Sequence, residues 1–168
     1  MNTEPEGQKS QTKFIFQTTS IWKLVGLSII TLGLYNIIWA YNLWKSLKTE
    51  ANYNINPFWR SVLINFTNFF LFPEINKYIE RHGEKGFPPI LFASIYFLIN
   101  ITAQRLPDFY WLIWFANIYI LVNIQTRINK LNLKFYTDIQ QNIWNRKNTI
   151  WSMILIVFWG IIVFLLLM

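Results

Sequence analysis

SIITLGLYNIIWAYNLWKSLK, residues 28–48, is apolar for most of its length and then turns basic at Lys45 and Lys48. The uncharged run around it goes from Leu24 to Trp44, 21 residues, with Trp22 and Trp44 at its edges. As one helix it measures about 31 Å, just enough to cross a bilayer. Gly26 and Gly33 interrupt it, and Gly33 sits near the middle. Two readings compete. The run is a straight span that tolerates a glycine, or it is a re-entrant hairpin bending at Gly33, a residue free to adopt turn angles. A bend within hydrocarbon frees backbone groups, which must find partners inside the protein. Thr31, Tyr35 and Asn36 flank the bend and carry the groups to do this.

The whole chain has the same character. Its 168 residues suit one domain. Apolar residues make up 54% and charged residues only 14%, whereas a soluble domain is about a quarter charged. Aromatics reach 19%, with nine Trp and eight Tyr, the rings that membrane proteins place at headgroup level. With no cysteine, disulfides, thiolate metal sites and cysteine nucleophiles are excluded. The net charge of +7 comes from basic residues between apolar runs. That is the positive-inside pattern of a membrane protein, not the basic patch of a nucleic-acid binder.

Residues 1–20 are polar without a long apolar core, which predicts a disordered tail and not a signal peptide. Residues 21–168 then form a single membrane domain. Within 58–72, apolar residues fall at Trp59, Val62, Leu63, Phe66, Phe69 and Phe70, while Arg60, Ser61, Asn65, Thr67 and Asn68 fall largely elsewhere. This spacing predicts an amphipathic helix lying in the interface, ended by Pro73. A second short piece follows over 74–80. Pro88 and Pro89 open an apolar run over 90–102, about 20 Å as a helix. A tight turn at 105–108 leads to another over 109–124, about 24 Å long, so the two form an antiparallel hairpin. Residues 125–149 read as a basic surface segment. Residues 150–168 carry no charge and would make a helix of about 28 Å. The fold expected is all-α and polytopic, with three to four spanning helices, a re-entrant aromatic hairpin as one option, and the interfacial helix.

Charge discriminates among topologies. A hairpin at Gly33 leaves every basic residue except Arg105 on one side of the membrane. A straight first span strands Lys9, Lys13, Lys23 and Arg105 on the other side. A fifth span through 59–72 strands Lys45, Lys48, Arg60 and Arg105. The positive-inside rule favours the hairpin.

Several elements in order carry a resemblance: Thr31-Leu32-Gly33-Leu34-Tyr35, Trp39-Ala40-Tyr41 with Trp44-Lys45, and Asn56-Pro57-Phe58-Trp59-Arg60. Leu106-Pro107-Asp108-Phe109-Tyr110-Trp111 and Gln125 to Asn132 continue it. The chain resembles, over about residues 23–132, a family of small, uncharacterised bacterial inner-membrane proteins of the domain-of-unknown-function type. The resemblance implies a bacterial, multi-pass inner-membrane protein and no activity.

Chemistry is sparse. His82 is the single histidine, too few ligands for a metal site. The acids form no close pair within an apolar run, and no glycine-rich phosphate loop is present. Neither an enzyme nor a cofactor is expected. The apolar runs contain no ionisable group of the kind transport usually requires. Asn36, Asn42, Asn100, Asn117 and Asn123 read as hydrogen bonds between helices, or else as a polar pathway. Arg60 beside Trp59, together with Lys45 and Lys48, is the first candidate surface for an anionic lipid or a partner protein. Arg127 and Lys130 are the second. The function expected is a non-enzymatic membrane protein that binds a partner or lipid at its interfacial face and can form homo-oligomers. The alternative is a small oligomeric transporter or pore.

Overall fold

The computed structural model describes residues 16–50, 53–103, 105, 108–135 and 153, and among these every regular element is helical. The elements described include α1 (Ile21–Ile30), α2 (Leu34–Glu50), α3 (Pro57–Val62), α4 (Ile64–Arg81), α5 (Pro89–Ala103) and α6 (Ala116–Phe135). A 3-10 helix, Asp108–Phe115, precedes α6. No helix among the described residues is long and apolar enough to cross a membrane. Of the tail expected over 1–20, residues 1–15 lie outside the described residues, as does the last span expected over 150–168, Met153 excepted. Residues 16–20 are not a disordered tail, because Phe16 is buried against Tyr78 and Thr18 and Thr19 are buried too.

The run over 24–44 is not one helix. It breaks at residues 31–33 into α1 and α2, with Leu32 at φ 46° and Gly33 at φ 90°. The bend satisfies its own backbone. Gly33 N donates to Ser28 O (2.8 Å) and Leu32 N to Ile29 O (3.1 Å). The Thr31 hydroxyl donates to Leu27 O at the end of α1 and accepts from Tyr35 N at the start of α2 (2.7 and 2.9 Å). Across the bend, Ser28 Oγ donates to Asn36 Oδ1 (2.8 Å) in a buried pair. Closing these groups internally is what a low-dielectric setting demands.

Contacts between distant residues set the directions of the helices. Thr19 N donates to Asn129 Oδ1, and Asn129 Nδ2 donates back to Thr19 O (3.2 and 2.8 Å). At the far end of α1, Gly33 lies against the Trp114 ring. Thus α1 runs antiparallel to α6. Then α2 returns, with Asn36 reaching the Tyr96 hydroxyl (3.5 Å) and Trp39 Nε1 donating to Gln125 Oε1 (2.8 Å). The pairs Phe66–Phe97 and Phe72–Phe87 lay α4 antiparallel to α5. The core between them is built from Leu24, Leu43, Leu71, Phe72, Ile75, Leu121, Ile124 and Ile128, each at most 1% exposed.

Several boundaries differ from expectation. Pro73 does not end a helix: it sits inside α4. Proline in a helix interior costs about 3 kcal/mol, and burial of Leu71, Phe72, Ile75 and Ile79 around it outweighs that. The break falls instead at Leu63, between α3 and α4, so the interfacial helix expected over 58–72 is two helices. Thr67 Oγ1 donates to Arg60 O across that break. At the other end, Asn56 caps α3 by accepting from Phe58 N (3.0 Å), with Pro57 in the first turn. The segment expected as a span over 109–124 starts in the 3-10 helix. Its basic continuation to Lys134 belongs to α6 and not to a separate surface piece.

Candidate functional site

The molecule has a charged end and an uncharged end. Lys45, Lys48, Arg60, Glu74, Lys77, Glu80, Arg81, Glu84, Lys85, Arg127, Lys130 and Lys134 belong to the end where α2, α4 and α6 finish. Around the bend at Gly33 and the far ends of α5 and of the 3-10 helix, the charged positions are Arg105 and Asp108.

Two arrangements organise the charged end. In the first, α6 holds the loop between α4 and α5. Arg127 Nη1 donates to Lys85 O and Gly86 O (2.6 and 3.0 Å). Its Nε donates to Asn123 Oδ1 (3.0 Å). Lys130 and Lys134 both pair with Glu84 (3.0 and 3.1 Å), and their hydrogen bonds hold its carboxyl below the usual carboxylate range. Asn76 Oδ1 accepts from Phe87 N in the same loop (2.8 Å). Arg127 and Lys130, the second candidate surface, are therefore engaged with the chain itself.

The second arrangement is a cavity of about 270 Å³ between α2, α3 and α4. Its walls include Trp44, Tyr53, Arg60, Phe69, Glu74 and Lys77. The Arg60 guanidinium lies over the Trp44 ring, 4.6 Å from its centroid, a cation–π contact. Glu74 accepts from the Tyr53 hydroxyl (2.7 Å) and from Lys77 Nζ (2.8 Å). Burial pushes the Glu74 carboxyl up, but the bonds from Lys77 and Tyr53 prevail and leave it below its ordinary value. Of the residues nominated from sequence, only Arg60 lines this cavity. Trp59 is exposed beside it and forms an edge contact with Phe58 (5.4 Å). Lys45 and Lys48 are exposed on α2. Sequence reasoning missed Trp44, Tyr53, Glu74 and Lys77 as cavity residues. The spacing of Glu74 and Lys77, three apart on a helix, was the available signal for that pair.

The asparagines divide. Asn36 is engaged by Ser28 and Tyr96, Asn100 donates to Tyr96 O (2.8 Å), and Asn123 accepts from Arg127. The buried amides of Asn68 and Asn117 meet no hydrogen-bond partner. His82 caps the end of α4, its Nδ1 2.8 Å from Tyr78 O. Among the described residues no three or more His, Cys, Asp or Glu side chains group to hold a metal.

A family model described as a domain of unknown function, DUF4234, matches residues 19–130. The chain belongs to the DUF4234 family. That match begins at Thr19 and ends at Lys130, so it takes in the cavity and most of the loop clamp. No curated protein and no solved structure matches the chain.

One further property concerns the orientation of side chains. In α3 and α4 the stripe Trp59, Val62, Leu63, Phe66 and Phe70 faces outward, while Ser61 and Asn68 are 1% and 0% exposed. Elsewhere Leu34, Ile38 and Tyr41 on α2, and Ile90, Leu91, Ile95, Leu98 and Ile101 on α5, are exposed too. Inside, the buried polar side chains include Ser28, Asn36, Asn117, Gln125 and Asn132.

Proposed function

We propose that this chain is a bilayer-embedded helical protein of a bacterial inner membrane, non-enzymatic, that works by binding at its charged end. The observation that carries this is the inversion in α3 and α4: apolar rings outward, Ser61 and Asn68 inward. In water such an arrangement exposes far more contiguous apolar surface than a soluble monomer normally shows. In lipid it is the favourable one, because hydrocarbon solvates the rings, while Ser61 donates to Phe58 O within the protein.

Helix length shapes the reading. At 1.5 Å per residue, α5 is about 22 Å long, against a hydrocarbon core of about 30 Å. The bundle therefore enters from its charged end, and its uncharged end reaches toward the opposite leaflet with Arg105 and Asp108 at the tip. Local thinning and extension of the Arg105 side chain take up the remainder. The positive-inside rule puts the charged end in the cytoplasm. Lys45, Lys48 and Arg60 then meet anionic headgroups or a protein partner, while Arg127 and Lys130 brace the loop behind them.

The chain has no native thiol, so single cysteines report cleanly. The protein is expected to stay with membranes through an alkaline carbonate wash and to leave only with detergent. Cysteines at Lys48 and Lys85 are expected to react with an impermeant maleimide from the same side. Recovery as a monodisperse species without detergent, or labelling of the two from opposite sides, would overturn the reading.

A further inference from the structure

The cavity at the charged end has a surplus of hydrogen-bond donors. Among the described residues no carboxylate pairs with Arg60, whose recorded contact is the face of Trp44. The Trp44 side chain is 1% exposed, and its Nε1–H meets no acceptor. The one acid in the wall, Glu74, is already held by Tyr53 and Lys77. Guanidinium groups have five donors and no acceptor, and an indole has one donor and none. The Arg60 guanidinium lines the cavity, over the Trp44 ring, and no carboxylate among the described residues takes up its donors, whereas the Trp44 Nε1–H is closed off from it. An acceptor-rich, negatively charged ligand fits that space.

We infer that the cavity between Trp44, Arg60 and Lys77 is a binding site for a phosphate ester. Guanidinium is the side chain best shaped for phosphate oxygens, which it takes in parallel pairs. Lys77 adds a second cation at the rim, where it is more than half exposed. A volume of about 270 Å³ falls just under the range of about 300–1,000 Å³ typical of drug-sized ligands. It suits a headgroup-sized fragment. Phe69 and Phe70 also line the cavity, and Phe70 is 65% exposed, continuing into the outward apolar stripe of α4. A ligand with an apolar tail bound through its phosphate would lay that tail along Phe70 and Phe66. The phosphate site stands on the Arg60 and Lys77 cations that line the cavity; only a lipid source for it rests on the membrane reading.

The test uses the full chain purified in detergent, with binding followed by native mass spectrometry and by calorimetry. The probes are short-chain phosphatidylglycerol, the matching diacylglycerol without phosphate, and inorganic phosphate. The wild-type protein is expected to bind phosphatidylglycerol and not diacylglycerol. Arg60→Gln is expected to weaken that binding about ten-fold or more, the cost of a charge-assisted hydrogen bond. Lys77→Gln, at a side chain more than half exposed, is expected to weaken it less, and Arg105→Gln, exposed at the opposite end of the molecule, not at all. Competition by inorganic phosphate at similar concentration would identify free phosphate as the source and still support the site. Phosphatidylglycerol binding that inorganic phosphate does not displace would identify a lipid headgroup. Equal binding of diacylglycerol, or Arg60→Gln and Lys77→Gln both binding like wild type, would overturn the proposal. A chain that proves soluble without detergent would sink the membrane reading, yet the inorganic phosphate titration would still decide the site.

Discussion

Two tight connections contain a glycine at left-handed backbone angles, and the chain secures them by opposite means. Gly33, at φ 90°, turns α1 into α2 at the uncharged end and is pressed by the Trp114 ring. Gly83, at φ 74°, follows α4 at the charged end, and a Cβ there would meet nothing within 4 Å. One turn is held by packing and by uncharged hydrogen bonds of its own residues, with no charge nearby. The other leads into a loop held by Arg127, Lys130, Lys134 and Asn76. Each end uses the forces its surroundings leave effective. Ion pairs are practical where solvent reaches them, and close packing with uncharged hydrogen bonds serves where charges are absent.

The sharpest way to break this comparison is to add one methyl group at each glycine. At Gly33 a Cβ would collide with the Trp114 ring, so Gly33→Ala combines backbone strain with overpacking. It is expected to destabilise the fold by about 3 kcal/mol or more. At Gly83 only the backbone strain remains, about 1 kcal/mol. Denaturant unfolding in detergent measures both. Repeating Gly33→Ala in a Trp114→Ala background should recover part of the larger loss. Equal costs at the two glycines would mean that the Trp114 contact contributes nothing.

A smaller effect is expected at the polar loop. Asn76→Ala removes the acceptor for Phe87 N in a buried hydrogen bond and should cost about 1–3 kcal/mol. Amide hydrogen exchange at Phe87 should quicken, while exchange at the Gly33 bend should not change. If both change together, the two ends are not independent units.

The smallest effect is electrostatic. The Glu84 carboxyl is held below its ordinary value by Lys130 and Lys134. A depressed carboxylate contributes stability that is fully present above its unfolded pKa, about 4.3. The contribution is lost as pH falls through the lower folded value. Thermal unfolding from pH 6 to pH 3 should therefore show a drop at the acid end that Glu84→Gln reduces. An identical acid profile in the variant would remove these ion pairs from the account of the loop.

How much of this could be read in the sequence depends on how far apart the interacting residues lie. The bend was legible as one of two readings, the other a straight helix, because Gly33 and its hydrogen-bonding neighbours Thr31, Tyr35 and Asn36 sit within one short stretch. Trp114 was not, since only the pairing of α1 with the segment ahead of α6 brings it there. Local propensity placed a break at Pro73, but burial around that proline keeps the helix continuous there, and the break lies at Leu63. The periodicity of Trp59, Val62, Phe66 and Phe70 defined a stripe but not the direction it faces. The cations Arg127 and Lys130 were visible as candidates. Their partners, the Lys85 and Gly86 carbonyls and the Glu84 carboxylate, are 41 to 46 positions away, beyond the reach of any motif. The cavity shared that difficulty, because α2, α3 and α4 each contribute to it.

The mutual hydrogen bonds of Thr19 and Asn129 have a consequence for parity. Two residues clasped together cannot be on opposite faces of a bilayer. Whatever path the chain takes between them, the number of complete crossings is even, zero included. A sidedness label read at either one fixes the other without a second measurement.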